Sequence, residues 1–341
     1  MTRAARSLRV FLTHTDAELR TAFPNDVLAE LEALVSINRN LTGRVLHGEE
    51  LARQAVGCDV IVAHRSTPGQ AAMFAAAPDL VAFIRAAVDT STIDVSAASA
   101  HGILVTHGSP GFADAVAELA LGMMIDLARG VSRDRRSQAS GEPPRPMLGT
   151  QLRGKTAGVV GYGRIGQRLA ELCRCLGMTV LVHDPAIDPP GSVATLGLYE
   201  LLAQSEFVVC LAAATPETRH LFGASAFAAM RPGAFFLNLS RGALVDDSAL
   251  VASLDAGHLG GAGLDVGTAP DEYPTAKFFA RPDVLATPHI GGLTVEARRH
   301  QATCVVDQVK AIAAGTIPSG ALNIDAAYRF SRLLEAHDFR S

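Results

Sequence analysis

Residues Gly161-Tyr162-Gly163-Arg164-Ile165-Gly166 constrain this chain more than any other stretch. They follow an apolar run, residues 156–160, that reads as a buried strand, and they open a helical pattern through Leu169, Ala170, Leu172 and Leu176. In a strand-turn-helix setting each glycine has its own task. The first makes the tight turn, the second lets the backbone reach a pyrophosphate, and the third lets helix and strand pack closely. The helix N-terminus then offers unpaired N–H groups to the phosphates. About twenty residues on, a second apolar strand ends at Asp184, where a carboxylate accepts both ribose hydroxyls of an adenosine and repels the extra phosphate of NADP. The spacing alone is common by chance; strand, helix and acid together predict an NAD site.

At 341 residues the chain is long enough for two domains, each with its own core. A hydrophobic share of 48% against 19% charged places it among globular proteins. The formal net charge of −4 leaves no basic surplus for a phosphate backbone, so no nucleic-acid partner is expected. The five cysteines are odd in number and scattered, as small buried hydrophobes in a reducing compartment would be, and Cys173-x-Cys175 has no companion pair to make a metal site. After Arg3, Arg6 and Arg9 the apolar run is only Val10-Phe11-Leu12, shorter than a secretory signal needs. Residues 71–88, the most apolar long stretch, are broken by Pro78, Asp79 and Arg85, so no membrane span is expected and the anticipated location is the cytoplasm.

Residues 8–106 alternate short apolar strands (8–13, 45–47, 59–63, 80–84 and 103–106) with amphipathic helices (24–34, 49–56, 68–76 and 94–100). That alternation predicts a parallel sheet with helices on both faces, and this unit has no phosphate-binding glycine loop. A long helix over 112–128 carries Val116, Leu119, Ala120, Met123, Met124 and Leu127 on one face, which suits either core packing or a subunit interface. Residues 132–154, rich in Arg, Ser, Gly and Pro, read as a surface excursion. Strands over 156–160, 179–183, 207–211, 234–239, 262–266 and 284–287 then complete a doubly wound dinucleotide domain. A final helix over 295–313 precedes Ala321-Leu322-Asn323-Ile324, which is expected to pack back on the first unit. The expected fold is therefore α/β with two doubly wound parallel-sheet domains: residues 1–106 with 293–341, and residues 107–292.

Three candidate residues fall just after strands of the second domain, where such sheets place their ligands: Arg241, Asp265 and His289. Each alone has a bland explanation as a surface charge, a turn-former or a structural histidine. Together beside a nicotinamide they form a coherent set. A guanidinium fork holds a carboxylate and the adjoining keto oxygen bidentately. An imidazole supplies the proton to that oxygen and takes it back in reverse.

The run from Met230-Arg231-Pro232-Gly233 through Asn238-Leu239-Ser240-Arg241-Gly242 to Asp246 resembles a signature of the D-isomer-specific 2-hydroxyacid dehydrogenases. Gly263-Leu264-Asp265-Val266 and Thr287-Pro288-His289-Ile290-Gly291-Gly292 resemble two more. The likeness covers nearly the whole nucleotide domain and is thinner in the N-terminal unit, for which it implies a flavodoxin-like substrate domain. It implies an NAD-dependent oxidoreductase interconverting 2-hydroxy and 2-keto acids, with Arg241 on the substrate carboxylate and His289 as acid/base. Asp184 would hold the adenosine ribose and Asp265 the nicotinamide end. Gly161, Gly163, Arg164, Ile165, Gly166, Ala212, Leu239, Ser240, Gly291 and Gly292 would line the cofactor cleft. Relatives commonly pair through the long helix, so a homodimer is expected. A non-catalytic NAD(H)-binding regulator of the same fold stays open as the alternative.

Two departures stand out. The family places a glutamate five residues after the aspartate of L-D-V, where it orients the histidine; here that position is Pro270. Asp271 or Glu272 is the candidate to reach back in its place, since Gly267 and Pro270 can reroute the loop. In the N-terminal unit, relatives carry G-x-G-x-D-N-I-D, whose amides cup the substrate carboxylate. This chain has Ala87-Val88-Asp89-Thr90-Ser91-Thr92-Ile93-Asp94. Asp89 there repels a simple keto acid unless turned away or paired, and it suits a hydroxyl or amine on a larger substrate. With Phe112 in a position where Asn is common, these changes argue against glycerate or glyoxylate chemistry as a default.

Overall fold

The computed structural model of the chain describes residues 8–141, 143, 148–187 and 193–338, apart from the side chains of Asp271 and residues 334–338. The chain forms two compact units, Met1–Gly111 with Val295–Ser341 and Phe112–Thr294. Each is built on one parallel sheet wrapped by helices on both faces.

The first unit runs β1 (Arg9–Leu12), α1 (Asp16–Ala22), α2 (Asn25–Leu34), β2 (Ser36–Arg39), α3 (Gly48–Gln54), β3 (Val60–Ala63), α4 (Ala71–Ala75), β4 (Ala82–Arg85), α5 (Val95–Ala100) and β5 (Leu104–His107). The strands lie in the order β2-β1-β3-β4-β5, all parallel. Period-2 alternation divides the strand side chains between two cores. Val10, Leu12, Val60, Val62 and Ile84 face α1 and α2, whereas Phe11, Ile61, Ala63 and Phe83 face α3, α4 and α5.

The second unit runs α6 (Ala113–Arg129), α7 (Val131–Ala139), β6 (Thr156–Val160), α8 (Arg164–Cys175), β7 (Thr179–His183), β8 (Ala194–Thr195), α9 (Leu198–Gln204), β9 (Phe207–Cys210), α10 (Ala224–Ala229), β10 (Phe235–Asn238), α11 (Asp247–Asp255), β11 (Gly261–Leu264), α12 (Ala276–Phe279) and β12 (Val284–Ala286). Its strand order is β12-β11-β10-β9-β6-β7-β8, again all parallel. Ala157, Val159, Val180, Val182, Val209 and Leu237 pack beneath α6 and α8, and Val160, Val208, Phe236 and Leu264 pack beneath α9, α10 and α11. Each such Val, Leu or Phe, fully removed from water, contributes roughly 1.5–3 kcal/mol before entropy is counted.

The chain then returns to the first unit with α13 (Val295–Ala313) and α14 (Tyr328–Asp338). Val305, Val306, Val309 and Ile312 of α13 sink into the core over β1 and β3. Between the two helices Ala321 bridges Thr106 antiparallel, and Asn323 Oδ1 accepts the Val105 N–H at 2.8 Å.

Three local expectations are corrected. The second strand is Ser36–Arg39 and not 45–47, where Leu46 is buried but the backbone is irregular. The excursion over 132–154 begins as helix α7, whose residues are all at least partly exposed. Helix α1 was not anticipated, although Thr15 and Glu18 close a capping box at its start.

Candidate active site

The glycine loop leaves β6 and enters α8 with each glycine held for a separate reason. Gly161 has φ 99°, and a Cβ there would lie 2.5 Å from the backbone N of Ala212. A Cβ on Gly166 would lie 2.1 Å from the carbonyl oxygen of Gly161, so helix and loop touch backbone to backbone. Gly163, the N-cap of α8, is different: among the described residues a Cβ built on it meets nothing within 4 Å, and no side chain caps the helix. Open space thus lies beside the first N–H groups of Arg164 and Ile165, at the positive end of a 12-residue helix. That cradle fits a pyrophosphate. Asp184, just past β7, accepts the N–H of Tyr162 at 2.7 Å through Oδ2 and those of Ala186 and Ile187 through Oδ1. It fixes the loop from below and keeps lone-pair capacity for a ribose hydroxyl.

The second cluster grows from the ends of β10, β11 and β12. Buried Asn238 donates from Nδ2 to the Arg241 carbonyl at 2.9 Å, and its Oδ1 accepts the Ser240 N–H at 3.1 Å. The Ser240 hydroxyl donates to the Ala212 carbonyl, so the glycine loop, Ala212, Ser240 and Arg241 are linked contact by contact. Buried Leu239 fills the turn between them.

Arg241 donates from Nη1 to the Ser240 carbonyl at 2.8 Å, and its Nε lies 3.0 Å from Glu272 Oε1. Nη2 is left without a partner among the described residues. The other Glu272 oxygen lies 3.5 Å from His289 Nδ1. Glu272 therefore bridges the two residues on which the sequence reading centred. Asp271 shares the turn Pro270–Glu272, but its side chain lies outside the described residues.

Backbone approach brings Glu272 there. A Cβ on Gly242, next to Arg241, would lie 2.2 Å from the Gly267 carbonyl carbon, so only glycine lets these loops meet. The Gly267 N–H then donates to the Glu272 carbonyl at 2.8 Å and closes the loop. Glu272 and His289 both adopt left-handed backbone, at φ 59° and 52°. Such conformations persist only where the surroundings impose them.

For His289 the imposing residue is Asp265, only 2% exposed. Its carbonyl accepts the His289 N–H, its Oδ1 accepts Thr287 Oγ1–H at 2.7 Å and the Ile290 N–H at 2.8 Å, and its Oδ2 accepts the Gly291 N–H at 2.8 Å. A Cβ on Gly291 would lie 2.8 Å from Asp265 Oδ2 and push on that pinned carboxylate, and Gly292 packs on Phe112. Thr287 and Asn238 thus have fastening roles that the sequence reading did not assign, although both lie in motifs it singled out. Val88 and Asp89 belong to the first unit. Val88 is half-buried, and the exposed Asp89 carboxylate accepts the Ser91 N–H at 3.0 Å and its hydroxyl at 2.9 Å. Beneath this loop Arg85 is 1% exposed and donates to the His64 and Arg65 carbonyls.

Fold and site define a dinucleotide-binding α/β protein. The sequence model of the D-isomer specific 2-hydroxyacid dehydrogenase NAD binding domain matches residues 121–291. The chain is 34% identical over 271 residues to D-3-phosphoglycerate dehydrogenase of Mycobacterium tuberculosis, covering 78% of this chain and 51% of that one. It is 35% identical over 261 residues to glyoxylate reductase of Thermococcus litoralis, covering 73% and 78%. A crystal structure of a Thermus thermophilus protein superposes with a TM-score of 0.81 at 32% identity, over 92% of this chain and all of that one. D-2-hydroxyisocaproate dehydrogenase shares the fold, with a TM-score of 0.80 at 21% identity. The chain belongs to the D-isomer-specific 2-hydroxyacid dehydrogenase family and carries its NAD-binding domain. It spans about half the length of the phosphoglycerate dehydrogenases it matches.

Proposed function

We propose that this protein is an NAD-dependent oxidoreductase that interconverts a 2-hydroxy acid and its 2-keto acid. The observation that carries the reading is Glu272 joining Arg241 and His289, which follow β10 and β12 on either side of β11, with Arg241 linked through Ser240 and Ala212 to the glycine loop. A purely regulatory NAD(H) binder has no use for a cation fork and an oriented imidazole in one place.

In this reading Gly161, Gly163, Gly166, Arg164 and Ile165 cradle the pyrophosphate, and Asp184 holds the adenosine ribose. Ala212, Leu239, Ser240, Asp265, Gly291 and Gly292 line the nicotinamide side. When bound, the cofactor supplies or accepts the hydride at C2 of the acid. Arg241 holds the substrate carboxylate and keto oxygen. His289 gives its proton to that oxygen during reduction and takes it back during oxidation. Glu272 orients the ring through its Nδ1, as a carboxylate partner does in other acid/base pairs. Val88 and Asp89 act in the first unit as substrate residues, and the chain works as a homodimer in the cytoplasm. No helix among the described residues is long and apolar enough to cross a membrane.

NADH oxidation against a panel of small, branched and aromatic 2-keto acids tests the reading. Turnover of at least one, lost in both Arg241→Ala and His289→Ala, is expected. Tight NADH binding with silence across the panel would overturn it in favour of the regulator.

A further inference from the structure

Glu272 joins Arg241 to His289, yet its side chain is 46% exposed, so packing around it does not fix its place. That place is set by the backbone of its loop, which is left-handed at Glu272 itself, with φ 59°. The hydrogen bonds within the loop close it only upon itself. The Gly267 N–H donates to the Glu272 carbonyl at 2.8 Å, and the Ala269 N–H donates to the Tyr273 carbonyl at 3.0 Å. A Cβ on Gly267 would lie 2.5 Å from Pro274 Cα, so the two legs of the loop touch at their base. A loop closed in this way still has to be fastened to the body of its unit.

Asp247 stands where such a fastening is needed, in the first turn of α11, the helix that follows the Arg241 motif. Capping of α11 is already done by its neighbour: Asp246 Oδ1 accepts the Ser248 N–H at 2.9 Å and the Ala249 N–H at 3.2 Å. The Asp247 carboxylate, 20% exposed, is turned to the loop instead. Its Oδ2 accepts the Thr268 hydroxyl at 3.4 Å and lies 3.5 Å from Lys277 Nζ. Thr268 is on the leg that leads into the loop, before Glu272. Lys277 lies beyond Glu272 on α12, next to Phe278, which is buried. Each contact is long and weak by itself, but both converge on one oxygen, and with the Gly242–Gly267 backbone contact they hold the loop at more than one point. Complementing the positive end of α11 is a task any first-turn acid performs, and it does not account for a hydroxyl and an ammonium drawn to the same oxygen from the two legs of one loop.

We propose that Asp247 is a positioning residue for the acid/base step, clamping both legs of the loop over residues 267–277 and so holding Glu272 against His289 and Arg241. The inference rests on the dehydrogenase reading and adds to it the residue that keeps the displaced glutamate in place.

The test uses the full chain and a 2-keto acid that the native protein reduces with NADH. Asp247→Ala should lower kcat about tenfold, as a small misplacement of a group beside the reacting atoms does, with the Kd for NADH unchanged. Thr268→Val removes one of the two contacts and should lose less. Asp247→Asn keeps an acceptor for the Thr268 hydroxyl and should recover part of the rate. A merely structural role lowers kcat by the same factor whatever stands at position 272, so the decisive comparison is made in a Glu272→Gln background, where Asp247→Ala should cost nothing further. Hydrogen exchange at the Gly267 and Ala269 amides, followed by NMR, should rise about tenfold in Asp247→Ala while the amides of β10 and β11 keep their native rates. An unchanged kcat in Asp247→Ala, a loss that carries over undiminished onto Glu272→Gln, or unchanged exchange in the loop overturns the inference and leaves the dehydrogenase reading standing. No turnover of any keto acid by the native protein overturns both.

Discussion

His14 ties the stability of the first unit to pH. It follows β1 with its ring edge-on to Phe23 at 5.4 Å and to His64 at 5.1 Å, and neither ring nitrogen finds a hydrogen-bond partner among the described residues. Burial, followed by the nearby His64, pushes its pKa down from 6.5 to about 3. A folded-state value below the unfolded one means that the unfolded chain takes up the proton first as pH falls. Stability is therefore untouched above pH 6.5, declines as pH drops below it, and levels off only below pH 3. Between pH 7 and pH 5 this one site withdraws about 2 kcal/mol, at about 1.36 kcal/mol per fully developed pH unit. His14→Leu removes the titration. Its packing effect is the same at both pH values, so the informative quantity is the change with pH in the stability difference between variant and native protein. The variant should gain about 2 kcal/mol on the native protein between pH 7 and pH 5. The chain has no tryptophan, so urea unfolding is followed by circular dichroism, with hydrogen exchange at Val10–Leu12 and Val60–Ala63 reporting on the first unit. Stability curves for the two proteins that run parallel from pH 7 to pH 5 would refute the reasoning.

Gly166→Ala forces a Cβ to within 2.1 Å of the Gly161 carbonyl and should cost roughly 1–3 kcal/mol in thermal or urea unfolding. Gly163→Ala meets open space, so unfolding should shift by less than about 0.5 kcal/mol, while the Kd for NADH by titration calorimetry rises about tenfold or more. Equal loss of stability in the two variants would contradict the cradle. Glu272→Gln should lower kcat by about a hundredfold with NADH affinity unchanged; an unchanged kcat removes Glu272 from the mechanism. Asp184→Ser should narrow the preference for NADH over NADPH about tenfold in kcat/KM, and an unchanged ratio places the ribose elsewhere.

The sheet strands and the glycine loop were legible because each is a local pattern: an apolar run, a turn residue, a helix start. Where the pattern was weak, the reading slipped. Ser36–Arg39 pairs only with β1 as an edge strand and is largely exposed, so its sequence carries no apolar alternation, while Val45-Leu46-His47 looks more strand-like but serves to lead a buried Leu46 into α3. Helix α7 buries no residue and therefore shows no face. Arg241, Asp265 and His289 stood out as polar residues at strand ends. The position of Glu272 could only be left open between two acids, because it depends on two loops meeting at Gly242 and Gly267, residues far apart in the chain.

That dependence explains the division of labour among the motif residues. In the proposed reading Arg241 and His289 are needed for their chemistry, whereas Gly242, Gly267, Asn238 and Thr287 serve the geometry that holds them. Two non-glycine residues in left-handed backbone, Glu272 and His289, each cost about 1–3 kcal/mol relative to relaxed loops. That cost is offset by the three donors converging on the buried Asp265 carboxylate and by the Gly267–Glu272 hydrogen bond. A family glutamate displaced by two positions can therefore face the same histidine, provided that a left-handed residue and a glycine contact absorb the extra chain, and both are present here.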